Sequence, residues 1–102
     1  MSRLFALAFS EGVKEDLEGL RAYDRRILLE VIETQLTHAP LVETKQRKLL
    51  RNLVPPFEAI PPIWQLCVGV FRVFYDVNEE ERRAYVRAIR RKAAHLNTEE
   101  IL

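Results

Sequence analysis

An arginine within an apolar stretch is the first feature of this sequence that suggests chemistry. Residues 63–77 read IWQLCVGVFRVFYDV, and Arg72 is the basic residue among them. A guanidinium stays charged in proteins, so in an apolar strand it must either pair with a carboxylate or face a cleft that an anion can enter. Asp76 is the candidate partner, because the two residues would share one face of a strand. The sequence leaves both interpretations of Arg72 open.

Basic residues elsewhere favour an anionic partner. Residues 1–44 carry five Lys or Arg against eight Asp or Glu (net −3), whereas residues 45–92 carry eleven against five (net +6). Most of the latter form two clusters, Lys45, Arg47, Lys48 and Arg51, then Arg82, Arg83, Arg87, Arg90, Arg91 and Lys92. Such clusters indicate a nucleic acid or an acidic protein segment as partner, and solvated surfaces are the alternative.

The elements that position these residues begin with a predicted β-hairpin. Gly69 would stand at the first central position of a two-residue turn, where a positive φ is needed and glycine adopts it without strain. In the second arm, alternation places Phe71, Val73, Tyr75 and Val77 on one face and Val70, Arg72, Phe74 and Asp76 on the other. Arg72 is therefore expected on the face opposite the larger apolar set.

The N-terminal part of the chain predicts one strand and two helices. Residues 3–9, RLFALAF, suit a strand, and Ser10 suits the N-cap of the helix that follows. Asp24 is predicted to cap a second helix, which should end before Pro40 because a residue preceding proline avoids helical geometry. Two helices joined so briefly pack as an antiparallel hairpin. His38, at the end of the second helix, is expected to interact with the helix dipole rather than to act in catalysis.

The C-terminal part predicts a further strand. Residues 81–92, ERRAYVRAIRRK, alternate in a way that favours a strand over the competing helix. Strict alternation would place Ile89 and Arg91 on the same face as Arg87. Asn97 begins a polar stretch that predicts a final helical turn.

The fold class is therefore α+β in a single domain spanning residues 1–102. We expect an N-terminal strand, an antiparallel helical hairpin and a three-stranded antiparallel meander. Residues 40–62 contain all five prolines and are predicted to form a long connection that carries, at most, a short element of its own.

Several function classes receive no support. No apolar run approaches the roughly 20 residues of a membrane span, and no signal peptide is evident, so a cytoplasmic protein is expected. Cys67 is the lone cysteine and His38 and His95 are the two histidines, which allows no internal disulfide and gives a metal site almost no support. We expect neither a metal nor another cofactor.

The order of elements resembles the RelE/ParE superfamily of type II toxins along nearly the whole chain. The most specific similarity is residues 69–75, GVFRVFY, which is similar to the family's G-x-[YF]-R-[VL]-x-Y segment. Residues 49–53, LLRNL, and the basic IRRK at residues 89–92 add to it. The resemblance implies a small toxin that a cognate antitoxin holds inactive. RelE-like members cut messenger RNA in the ribosome, whereas ParE-like members bind DNA gyrase.

For an RNA-cleaving member, the resemblance implies roles for individual residues. Arg72 matches one catalytic arginine of the family and Arg91 matches a second, with Arg90 as the alternative for the second position. The resemblance implies that the two arginines stabilise the charge on the phosphate. The family's lysines have no counterpart in the first hairpin arm, and in the same arm Cys67 stands where many relatives carry arginine. No tyrosine stands near the C-terminus, which leaves His95 as the candidate acid or base. The residues expected to contact RNA are Lys45, Arg47, Lys48, Arg51, Arg90 and Lys92.

These departures keep three hypotheses open. A metal-independent endoribonuclease would use the arginines and the ribosome-bound messenger. A ParE-like gyrase inhibitor would need no catalytic groups. A non-catalytic, antitoxin-binding module would use the basic surfaces only to bind its partner.

Overall fold

The computed structural model describes residues 4–92 and 97–102, which form one five-stranded sheet with helices. The strands are β1 (Ala6–Phe9), β2 (Arg47–Leu50), β3 (Ile63–Val68), β4 (Phe71–Asn78) and β5 (Arg83–Arg91). The helices are α1 (Glu11–Glu18), α2 (Ala22–His38) and α3 (Thr98–Ile101). The sheet order is β1-β5-β4-β3-β2, with β1 parallel to β5 and the other neighbours antiparallel.

The predicted α+β architecture is confirmed, with one additional strand. The opening strand, the two helices and the meander β3-β4-β5 all form, and Gly69 makes the β3–β4 turn with a φ of 57°. The addition is β2, which lies inside the long connection and pairs with β3. Its sequence, RKLL, contains no β-branched or aromatic residue, so local propensity gave little sign of a strand.

The two faces of the sheet have different coverings. On the helix face, Leu28, Ile32 and Leu36 of α2 belong to the same core as Val73 and Tyr75 of the sheet. We call the opposite side the outer face. A smaller cluster covers part of it, in which Ile63, Phe74, Ala88 and Ile101 are buried and Phe57 packs against them. The predicted division into two faces is therefore confirmed for the residues of β4, whereas Val70 lies in the turn before the strand.

Helix α1 continues along β5 where β1 ends. The Oγ of Ser10 accepts a hydrogen bond from the Val13 N–H (3.2 Å), as the predicted N-cap requires, and donates to the carbonyl of Arg87 (3.0 Å). Further along, Oδ2 of Asp16 accepts a hydrogen bond from the Ile89 N–H (3.1 Å). The pairing of β1 with β5 ends at Val86. Beyond that residue, the side chains of Ser10 and Asp16 form hydrogen bonds with main-chain groups of β5.

The start of α2 differs from the prediction. Its N-cap is Arg21, and the predicted cap, Asp24, lies within the first turn. A carboxylate is also favourable there, because the helix dipole is positive at that end, and Asp24 additionally pairs with Arg21 at 3.4 Å. An aspartate is favourable both at the N-cap and within the first turn of a helix, and sequence alone does not separate these two placements. The helix ends at His38, as predicted.

Strand β5 contains a β-bulge that breaks the predicted alternation. Phe74 is opposite Ala88, whereas the next residue of β4, Tyr75, is opposite Val86, so Arg87 is the extra residue. Past the bulge every side chain changes face relative to strict alternation. The expectation that Arg87, Ile89 and Arg91 share one face is therefore wrong.

Candidate anion-binding surface

A row of three side-chain positions crosses the outer face at the turn end of the sheet. Cys67 of β3 is opposite Arg72 of β4, and Arg72 is opposite Arg90 of β5. Directly opposed residues project from the same face of a sheet, so these three positions are neighbours on the outer face. We call them the arginine row. Lys48 of β2 lies on the same face, opposite Gln65, and is exposed.

Main-chain carbonyls, rather than a carboxylate, hold Arg72. Its Nη1 donates to the carbonyl oxygens of Gly69 (2.8 Å) and Phe71 (2.9 Å). In the part of the chain that the structure describes, Arg72 makes no salt bridge. The hairpin turn therefore fixes the half-buried guanidinium while leaving its charge without an acidic partner and its other N–H groups available.

The expected ion pair between Arg72 and Asp76 is not present. Asp76 is 2% exposed and accepts hydrogen bonds from Nε (2.7 Å) and Nη2 (3.2 Å) of Arg87 instead. The Ile60 N–H is a third donor to this carboxylate, at 3.1 Å. The bulge directs Arg87 to the outer face, and its guanidinium also lies 4.8 Å from the ring centroid of Tyr85. The arginine that neutralises the buried carboxylate is thus the one at the bulge.

Two of the C-terminal arginines project to opposite sides. Arg90 is in the arginine row, and its Nη1 donates to Oδ2 of Asp16 at 3.2 Å, so its charge is partly balanced. Arg91 is opposite Phe71 on the helix face, and its guanidinium lies 4.8 Å from the centre of the Phe71 ring. The structure therefore brings Arg90, and not Arg91, beside Arg72.

The first basic cluster is divided between the surface and the core. Lys45 and Lys48 are exposed, and Arg51 is exposed with its Nη2 3.8 Å from Oε1 of Glu43. Arg47 is different, because it projects to the helix face and is only 6% exposed. The expectation that Arg47 contacts RNA does not fit this position, and we assign it to the core.

Arg47 belongs to a buried polar group beneath α2. Its Nη1 donates to the carbonyl of Gln35 (3.1 Å), while its Nε has no hydrogen-bond partner. Nearby, the Tyr75 hydroxyl donates to the carbonyl of Pro40 at 2.6 Å. Burial raises the pKa of the Tyr75 phenol well above its ordinary value, and the positive charge of Arg47 opposes that rise in part.

Helix α3 lies on the outer face beside the arginine row. Oγ1 of Thr98 donates to Oε1 of Gln65 (2.8 Å), and Ile101 is part of the outer-face cluster. No local sequence signal points to Gln65, Thr98 or Asp16, because their contacts join residues far apart in the chain. His95, the predicted acid or base, lies outside the described residues.

Within residues 4–92 and 97–102, no three His, Cys, Asp or Glu side chains are grouped so that they could hold a metal ion. The helices of that part are too short and too polar to cross a membrane. The arrangement can bind an anion through fixed guanidinium groups.

Comparisons with known proteins give matches in structure but not in sequence. No protein-family model matches the chain, and a search of curated proteins finds no match. Among solved structures, a chain of the RelBE toxin–antitoxin complex from Mycobacterium tuberculosis has a TM-score of 0.71 at 18% identity, with 88% of this chain and 93% of that chain covered. A chain of the archaeal RelE–RelB complex from Pyrococcus horikoshii has a TM-score of 0.69 at 17% identity, covering 89% and 98%.

A third structure is a toxin without its antitoxin. A doubly substituted variant of the toxin RelE from Escherichia coli, in the free state, has a TM-score of 0.64 at 19% identity, with 89% of this chain and 85% of that chain covered. The chain is therefore a small α+β protein with a mostly antiparallel five-stranded sheet. More specifically, the chain has the fold of the RelE-type toxins.

Proposed function

We propose that this protein is the toxin of a type II toxin–antitoxin system and that it inhibits translation by cutting messenger RNA on the ribosome. The observation that carries the proposal is Arg72, a guanidinium that two carbonyls fix on an accessible sheet face and that no carboxylate among the described residues neutralises. A fixed cation at that place can stabilise the charge that develops on a phosphate without reorganising during the reaction.

The other cations of the outer face have supporting roles. Arg90 lies beside Arg72 and provides a second donor for phosphate oxygens. Lys48 and Arg51 extend the basic surface towards β2, where they would hold the RNA backbone. The 2′-hydroxyl of the RNA would lose its proton and attack the adjacent phosphorus, while the bond from phosphorus to the 5′-oxygen breaks and that oxygen takes up a proton, which leaves a 2′,3′-cyclic phosphate and a 5′-hydroxyl. His95 is the hypothetical group that moves a proton in this step. Lys92 remains a predicted RNA contact.

A gyrase inhibitor is the second candidate function, and the composition of the arginine row favours it. Cys67 occupies the third position of the row, so the row itself contains no lysine, histidine or carboxylate that could act as a general base. A toxin that acts by binding DNA gyrase would not need one. A decayed toxin that only binds its antitoxin is the remaining alternative.

Induced expression of the wild-type chain and of two alanine variants tests these functions. Growth is recorded, and the 5′ ends of messenger RNA are mapped by primer extension in the same cultures. We expect growth arrest with new 5′ ends for the wild type, loss of both for Arg72→Ala, and retention of both for the matched variant Arg91→Ala, which alters the helix face. Cleavage by Arg72→Ala at equal expression would contradict the proposed role of that residue.

The same cultures separate the alternatives. Growth arrest without new 5′ ends, together with accumulation of cleaved DNA, would favour the gyrase inhibitor. Unimpaired growth at good expression would exclude both toxic activities and leave the antitoxin-binding module.

A further inference from the structure

An apolar groove lies between the start of α2 and the β3–β4 turn, on the helix face. It encloses about 190 Å³. Its apolar walls come from Ile27 and Leu28 of α2 and from Val68 and Phe71 beside the turn. Val70, at the tip of the turn, adds a wall that is 49% exposed. The groove is large enough for one apolar side chain, and an apolar concavity of this kind can accept one.

Basic groups border this groove on the side of the sheet. The guanidinium of Arg91 lies over Phe71, which is itself a wall of the groove. The Lys92 N–H donates to the carbonyl of Val70 at 2.7 Å, which fixes the backbone of Lys92 next to the tip. Neither Arg91 nor Lys92 forms a salt bridge within the described residues. Their charges are therefore available to a partner.

The acidic residue that lines the groove, Asp24, does not neutralise Arg91 or Lys92. The Asp24 carboxylate is 3.4 Å from Nε of Arg21 and so is already paired. The groove thus has an apolar interior, with the charges of Arg91 and Lys92 beside it.

We propose that this groove binds an acidic amphipathic segment of the cognate antitoxin, with one apolar side chain in the cavity and carboxylates paired with Arg91 and Lys92. The identification of the partner as an antitoxin rests on the proposed function, whereas the chemistry of the segment follows from the groove. An amphipathic helix that places its apolar side in a groove is a common mode of peptide recognition, and charge complementarity fixes its orientation. The groove is on the helix face, so a segment that binds there gains affinity without contacting the arginine row on the outer face.

The test compares two valine variants of nearly equal exposure. Val70→Glu places a carboxylate at the groove, whereas Val42→Glu places the same charge at a valine that is 53% exposed beyond the other end of α2. Helix α2, with 17 residues, is about 25 Å long, and the two sites lie towards its opposite ends. The probes are two synthetic amphipathic helical peptides with the same leucine positions, one with glutamate and one with lysine at its polar positions. Binding is measured by fluorescence anisotropy.

The proposal predicts a specific pattern of affinities. The glutamate peptide binds the wild type and Val42→Glu alike, and its dissociation constant rises about tenfold for Val70→Glu. The same constant rises when the salt concentration is increased, since the charges on the border are screened. Equal binding of the lysine peptide, or an equal loss for Val42→Glu, would overturn the proposal. So would a change of oligomeric state in Val70→Glu alone, which would assign the groove to a second copy of the chain.

Growth assays distinguish a failure of this proposal from a failure of the proposed function. If the wild type arrests growth, Val70→Glu should still arrest it but should need more co-expressed antitoxin for relief than Val42→Glu does. Equal relief would overturn the groove while leaving the toxin function intact. If the wild type does not arrest growth, the proposed function fails, and the peptide affinities alone decide whether the groove recognises an acidic segment.

Discussion

The ion pair between Arg87 and Asp76 allows a quantitative prediction for the substitution Arg87→Met. The carboxylate is 2% exposed and would lose its two contacts with Arg87, at 2.7 and 3.2 Å, and keep only the Ile60 N–H. Removal of one partner from a buried ion pair costs about 3–5 kcal/mol. Because one donor remains and the Arg87 side chain is itself 14% exposed, we expect the lower end, about 3 kcal/mol.

Urea denaturation of the variant measures this loss. For an m-value of about 1.5 kcal/mol/M, a loss of about 3 kcal/mol lowers the midpoint by about 2 M. Arg72→Met is the matched control, because its guanidinium bonds two carbonyls near the surface and no buried carboxylate depends on it. We expect that control to lose less than about 1 kcal/mol.

A double variant isolates the buried charge as the cause. Asp76→Asn combined with Arg87→Met removes both charges and keeps a side-chain oxygen that can accept from the Ile60 N–H. It should therefore recover at least half of the stability lost in Arg87→Met. If Arg87→Met and Arg72→Met had the same midpoint, or if the double variant were as unstable as Arg87→Met, the assignment of the buried pair would be refuted.

Two further predictions concern single side chains. Ser10→Ala removes the N-cap of α1 and the donor to the Arg87 carbonyl, and should lower the free energy of unfolding by about 1–2 kcal/mol in urea, whereas Ser10→Asn should lose less. Burial raises the pKa of the Tyr75 phenol in the folded state. The contribution of the neutral phenol to the free energy of unfolding is therefore complete below the pKa of an unfolded tyrosine, about 10, and is lost as the pH rises through the pKa of the folded state. The free energy of unfolding should therefore fall more steeply above pH ~10 in the wild type than in Tyr75→Phe. Equal slopes in thermal or urea unfolding across that range would contradict the pKa assignment, and Tyr23→Phe, at an exposed position, serves as the control.

Features that depend on local sequence were predictable. The turn at Gly69 needs one residue with a positive φ between two apolar runs, and both signals are adjacent in the chain. Ser10 was predictable as a cap because capping acts over three residues. The end of α2 before Pro40 is equally local. Each of these predictions is confirmed by the structure.

Features that depend on distant residues were not predictable from the same signals. Strand β2 forms because RKLL finds a partner in β3, and its own residues prefer helices as much as strands. The same pairing turns Arg47 to the helix face, where it becomes a buried residue under α2. Lys45 and Lys48, its basic neighbours in the sequence, stay exposed. The pairing of β2 with β3 therefore divides one basic cluster between the surface and the core, and the sequence does not show that pairing.

The choice between the two C-terminal arginines depends on a single extra residue. Without the bulge at Arg87, the register set by Tyr75 and Val86 would continue, so that Ala88 and Arg90 would lie on the helix face and Ile89, not an arginine, would be opposite Arg72. With the bulge, Arg90 is beside Arg72, and Arg91 is available to the groove at the turn. Arg87, the inserted residue, is also the one that neutralises Asp76 and so leaves Arg72 without an acidic partner. One insertion in the strand therefore determines both the composition of the proposed phosphate site and the charge at the proposed antitoxin site.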